Sequence, residues 1–103
     1  METQVNTNET LKIVSEYTKG NWATKEGQIY SEQTGKTHAL IPYFDSDNKE
    51  DNTNASLIAA APELLKACID TLRILELNPT NTNLYQRNKL EYLIKKATNN
   101  VTL

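Results

Sequence analysis

The stretch Asn54-Ala-Ser-Leu-Ile-Ala-Ala-Ala-Pro-Glu-Leu-Leu65, continuing as Lys66-Ala-Cys-Ile-Asp-Thr-Leu-Arg-Ile-Leu75, decides the fold of this chain. Leu57, Ile58, Ala61, Leu64, Leu65, Cys68, Leu72 and Leu75 recur at three- and four-residue steps, which predicts one helix with a core-facing stripe. Thr53 or Asn54 supplies a side-chain cap at its start. Pro62 has no N–H for the Ile58 carbonyl and its ring crowds that turn. A kink or break is expected there, with a new first turn at Pro62-Glu63. The small side chains of Ala59, Ala60 and Ala61 admit another backbone at close range, either a sheet face or a partner helix.

Upstream, the pattern switches to a period of two. Asn21–Lys25, Gln28–Gln33 and Lys36–Tyr43 read as strands, joined at Glu26-Gly27 and Thr34-Gly35, where glycine permits the positive φ of a tight turn. Ile29 and Ser31 share one face of the meander, as do Ala39 and Ile41. Pro42 removes a ladder donor and fits the end of an edge strand. Phe44 to Thr53 reads as a solvated loop with four acidic residues against one lysine. Its Asp45, Asp47 and Asp51 lack the glycine and distal Glu of a calcium loop. Downstream, Thr82 or Asn83 caps a last helix with Leu84, Leu90, Leu93, Ile94 and Ala97 on its apolar face. Lys95 and Lys96 complement its C-terminal dipole. Leu11–Tyr17 fits a strand or a helical turn equally well.

The expected class is α+β: a three-stranded antiparallel β-meander followed by a kinked helix and an antiparallel C-terminal helix. The whole chain, 1–103, is expected as a single domain, with residues 1–10 disordered, the meander within 20–44 and the helical hairpin within 54–98. At 38% hydrophobic residues and a mean hydropathy of −0.61, the core is lean for this length. A homo-oligomer, in the simplest case a twofold dimer, would add buried area without adding sequence. The candidate contact is Leu57, Ala59, Ala60, Ala61 and Leu64.

A net charge of −2 argues against duplex nucleic acid as a partner. No apolar run reaches the roughly 20 residues of a membrane span, and Met1-Glu-Thr-Gln-Val lacks the features of a signal peptide. The expected location is the cytoplasm. One cysteine, Cys68, and one histidine, His38, leave little material for nucleophilic catalysis, and no metal-ligand spacing or phosphate loop is present. The expectation is a binding protein, with no catalytic residues, metal or cofactor. Trp22 and Tyr30 are candidate platforms for a base, although a lone tryptophan at the start of a meander more often anchors the core. Asn54, at the expected helix start, and the two arginines, Arg73 and Arg87, are candidate phosphate contacts. Their plainer readings are a cap and solvated or ion-paired helix residues.

The Asn54–Leu65 string resembles the Asn-Ala-x-Leu-Ile-Ala-Ala-Ala-Pro-Glu-Leu-Leu signature of a family of small bacteriophage-encoded proteins. The likeness covers roughly residues 20 to 76. It takes in Gly20-Asn-Trp22, the Gly27 and Gly35 turns and Thr37-His-Ala-Leu-Ile-Pro42. Ser56 departs from the arginine frequent at that position. The resemblance implies an accessory phage protein acting in the host-cell cytoplasm. By analogy with small oligomeric inhibitors of bacterial immunity, it would sequester a cyclic oligonucleotide or ADP-ribose-type signal. The alternative is a protein–protein inhibitor or regulator of a host factor.

Overall fold

The computed structural model describes residues 17–99. The expectations for residues 1–10 and for the segment from Leu11 to Glu16 lie outside the described residues. Strands β1 (Trp22–Lys25), β2 (Gln28–Ser31) and β3 (Thr37–Leu40) form an antiparallel sheet in the order β1-β2-β3. Helices α1 (Lys49–Ala59), α2 (Ala61–Leu77) and α3 (Leu84–Ala97) follow, with a 3-10 turn at Asn81–Asn83 leading into α3. The α+β class holds, and the last helix is assembled from a 3-10 piece and an α piece. The chain divides into two compact units, one of Thr18–Leu64 and the other built on the residues from Leu65 onward.

In the first unit, Glu26 and Gly27 both have positive φ, 49° and 82°, the pattern of a two-residue type I′ hairpin. The Gly27 position is also sterically closed, since a Cβ there would lie 2.6 Å from Phe44 Cγ. The second connection is longer. Ser31 N–H donates to Lys36 O at 2.9 Å and Gly35 N–H to Ser31 O at 2.8 Å, with Gly35 at φ 75°. Ile41 N–H still reaches Gly27 O at 2.9 Å before Pro42 ends the ladder. Between β2 and β3 the register steps from Ile29↔Ala39 to Tyr30↔Thr37, which leaves His38 as the extra residue of a bulge.

The long helix starts earlier than its apolar period suggests. Asn48, not Thr53 or Asn54, is the cap, and its side chain accepts from Asp51 N–H at 3.0 Å. Glu50 and Asp51 in the first turn complement the dipole. The Asp51 carboxylate also accepts from Asp45 N–H at 2.9 Å, and Asp45 accepts from Asp47 N–H at 3.0 Å. The expected solvated loop is therefore a nested capping structure followed by the first turn of α1. Residues 49–54 are polar on every side, so no apolar period marks them as helical.

The break falls at Ala60, where φ −82° and ψ −2° depart from helix geometry. Ala60 N–H donates to Ser56 O and Leu64 N–H to Ala60 O, both at 2.9 Å. Pro62 thus stands in the first turn of α2, where its missing N–H has no intrahelical partner to lose.

Ile29, Ala55 and Ala59 form the buried cluster of the first unit, with Trp22, Ala39, Ile41 and Phe44 packed against it. It is the sheet that approaches the alanine side of the helix. The expected stripe is corrected here. Leu57 is 60% exposed and Leu64 50%, and Ile58 and Ala61 are also exposed. A short sheet under α1 is met by the small residues, so the larger ones on the opposite side face outward.

In the second unit Ile69 and Leu72 of α2 and Ile94 of α3 form the core, joined by Leu65, Cys68 and Leu90. Asn83 holds the N-cap position of α3 without a side-chain cap bond of its own there, and the side-chain cap comes not from Thr82 but from Thr80, which opens the preceding 3-10 turn. The Thr80 hydroxyl accepts from Asn83 N–H and Asn83 Oδ1 accepts from Thr80 N–H, both at 3.2 Å, a reciprocal capping box. Of the expected apolar face of α3, Ile94 and Leu90 turn inward, while Leu84, Leu93 and Ala97 are exposed. Among the described residues, no helix is long and apolar enough to cross a membrane.

Candidate functional site

Strand pairing sets the most distinctive side-chain arrangement of the first unit. Trp22 on β1 pairs with Ser31 on β2, and the bulge on β3 carries His38. The Trp22 and His38 rings lie with centroids 4.5 Å apart and planes inclined by 36°. They belong to the two outer strands, so their contact spans the central one, where Ser31 is almost fully buried and small enough to leave room. Trp22 Nε1 donates to Thr18 O at 3.2 Å. His38 Nε2 is buried and has no hydrogen-bond partner among the described residues.

The candidate platforms differ in availability. Trp22 packs on the core and holds His38 against its ring, which is the anchoring role. Tyr30 is half-buried, in register with Ala23 and Thr37, and sits on the opposite side of the sheet from Ile29 and Ser31. Asn54 lies in the interior of α1 and is exposed, so the free N–H groups expected beside it belong instead to the first turn after Asn48.

The two arginines lie in the second unit. Arg73 stands 3.7 Å from Asp70, which also accepts from Lys66 Nζ at 2.8 Å. The Lys66 hydrogen bond, with the charges of Lys66 and Arg73, holds the Asp70 carboxyl below the usual carboxylate range. Arg87 Nε donates to Asn83 Oδ1 at 2.7 Å and its Nη2 to Thr80 O at 3.0 Å, fastening the start of α3. Both guanidiniums also act on Glu76, whose carboxyl is pushed up first by burial and then by the neighbouring Glu91 charge. Arg73 is thus paired with a carboxylate of its own helix, and Arg87 with two neutral oxygens at the start of α3.

The candidate contact surface splits. Ala59 is buried against the sheet and Ala60 is half-buried at the helix break. Leu57 on α1 and Ala61 and Leu64 on α2 are exposed on either side of the break at Ala60. Cys68 is a free, half-buried thiol in the second core. Among the described residues no group of three or more His, Cys, Asp or Glu side chains is placed to hold a metal ion.

One surface was not marked by sequence reasoning. Tyr85, Lys89, Tyr92 and Lys96 occupy positions i, i+4, i+7 and i+11 of α3 and are all exposed. Tyr85 is 68% and Tyr92 53% exposed, and Lys89 Nζ stands 5.8 Å from the centre of the Tyr85 ring. The spacing is visible in the sequence once α3 is known to turn Ile94 inward.

A family model described as Salmonella phage P22 protein Y8K6 matches residues 1–101. The chain belongs to this phage protein family. The match takes in both compact units, so membership is a property of the α+β chain as a whole. No match to the chain was found among curated proteins or among solved structures.

Proposed function

We propose that this phage protein is a non-catalytic accessory factor acting in the host cytoplasm by docking on a protein, as an inhibitor or regulator of a host factor. The observation that carries this reading is the contrast between occupied polar groups and exposed contact residues. Trp22 is held by His38, Arg73 by Asp70, and Arg87 by Asn83 and Thr80. The large side chains most exposed on α3 are tyrosines, a residue type that contributes strongly at protein interfaces.

Sequestration of a cyclic oligonucleotide or ADP-ribose-type signal is the second reading. It is favoured by the His38 Nε2 beside Trp22, a buried polar atom whose hydrogen-bonding capacity is unmet among the described residues. Self-association remains part of both readings. Its contact moves to Leu57, Ala61 and Leu64, since Ala59 serves the sheet.

The test has two arms. The tagged protein is crosslinked in phage-infected cells, and any host protein identified is purified and mixed with it. The protein is also purified from cells expressing a defence cyclase, and heat-released small molecules are identified by mass spectrometry. A reconstituted complex with a host protein, and no stoichiometric nucleotide, is the expected result. A retained nucleotide with no reconstituted complex would replace the first reading with the second.

A further inference from the structure

We propose that the Tyr85, Lys89, Tyr92 and Lys96 face of α3 is the docking surface for an acidic amphipathic protein segment. This inference rests on the protein-binding reading and adds the place and chemistry of the contact. At 3.6 residues per turn the four side chains fall within about 60° of arc and cover roughly 16 Å of helix. They project on the side opposite Ile94, the buried residue of α3.

The charge of this face is opposite to that of the chain. The chain carries −2 overall, yet these positions hold two lysines and no carboxylate. Glu91, the acidic residue of α3, lies to the side, half-buried and 3.5 Å from Lys95. Lys95 is thus balanced within the helix, while among the described residues Lys89 and Lys96 have no ion-pair partner. A complementary occupant must supply carboxylates spaced along a helix.

The aromatic rings set the apolar half of the match. Tyrosine offers a broad contact with few rotatable bonds, and Tyr85 and Tyr92 stand two helical turns apart on one stripe. The Lys89 ammonium near the Tyr85 ring is already positioned on that stripe, which lowers the ordering cost of binding. A single strand of nucleic acid fits this surface less well. Stacking platforms of that class line a basic groove that follows the backbone, whereas this face is the convex side of one helix on an acidic protein. An amphipathic segment with leucines flanked by glutamates satisfies both halves of the stripe.

The test uses the full chain and fluorescence anisotropy. The probe is a fluorescein-labelled amphipathic peptide of leucines and glutamates, compared with a single-stranded oligothymidine of equal charge. The peptide is expected to bind at least tenfold tighter than the oligothymidine. Lys89→Glu with Lys96→Glu should weaken it at least tenfold, and Tyr85→Ala with Tyr92→Ala at least fivefold. Lys36→Glu, at an exposed lysine of the other unit, should change it less than twofold. Circular dichroism checks that each variant remains folded. Equal or tighter oligothymidine binding, no peptide binding, or an equal loss in Lys36→Glu would each overturn the proposal. A host protein that binds wild type and Lys89→Glu/Lys96→Glu equally would also overturn it, while leaving the protein-binding reading intact.

Discussion

Trp22 and His38 meet across the central strand of the sheet, 4.5 Å between ring centroids, where the buried Ser31 is the strand partner of Trp22. The contact exists because the β3 bulge inserts one residue, which offsets His38 from the strand's regular alternation. It ties the two outer strands together where no backbone ladder joins them. It also explains why the one tryptophan works as an anchor in this unit.

The ring contact and the buried Nε2 pull stability in opposite directions. Aromatic pairing stabilises by about 0.5–1.5 kcal/mol, whereas an unpartnered buried polar atom costs about 1–3 kcal/mol. His38→Phe keeps the ring and removes the orphan nitrogen, so it should be at least as stable as wild type. His38→Ala loses the packing and should fall below His38→Phe by roughly 1–2 kcal/mol. Urea unfolding followed by Trp22 fluorescence measures both, and the reverse order would show that Nε2 is satisfied in solution.

Two turn positions make contrasting demands on a side chain. Gly27→Ala places a methyl group at positive φ and into the Phe44 side chain, and should cost at least about 2 kcal/mol. At Gly35 nothing lies within 4 Å, so the alanine variant should cost only the left-handed penalty, about 1 kcal/mol. Thermal unfolding of the two variants would separate steric closure from backbone preference, and equal losses would argue against the Phe44 contact.

Helix capping distinguishes Asn48 from Asn54. Asn48→Ala removes the side-chain acceptor for Asp51 N–H and should cost about 1 kcal/mol. Asn54→Ala, in an exposed helix interior, should leave stability within about 0.5 kcal/mol of wild type or slightly raise it. Guanidinium melts monitored by circular dichroism test this pair. A larger loss at Asn54 would move the helix start back to where the apolar period begins.

Glu76 makes stability depend on pH. Burial, then the Glu91 charge, raises its carboxyl above the ordinary value, so the folded chain holds this proton to higher pH than the unfolded chain. Its contribution is full below the unfolded carboxylate range and is lost as pH rises through the raised value. Glu76→Gln should therefore raise the melting temperature at pH 7. The gain should shrink towards pH 4, where the native carboxyl is itself protonated. A gain that persists unchanged at pH 4 would assign the effect to packing instead of charge.

The sequence by itself determined the elements that depend on local chemistry. Alternation around Ile29 and glycine at 27 and 35 specify the meander, because hairpin turns need positive φ and strands repeat every two residues. Pro62 specifies a break in the helix, because its ring excludes a continuous hydrogen-bond ladder. Which side of α1 packs was decided only by tertiary structure. Apolar size favoured Leu57, yet the sheet takes Ala55 and Ala59, whose small side chains allow close approach. The same holds for the candidate site residues. Trp22, Arg73 and Arg87 were legible as chemistry-bearing types, but their partners His38, Asp70 and Asn83 were not, because exposure and pairing depend on which side chains the fold brings together.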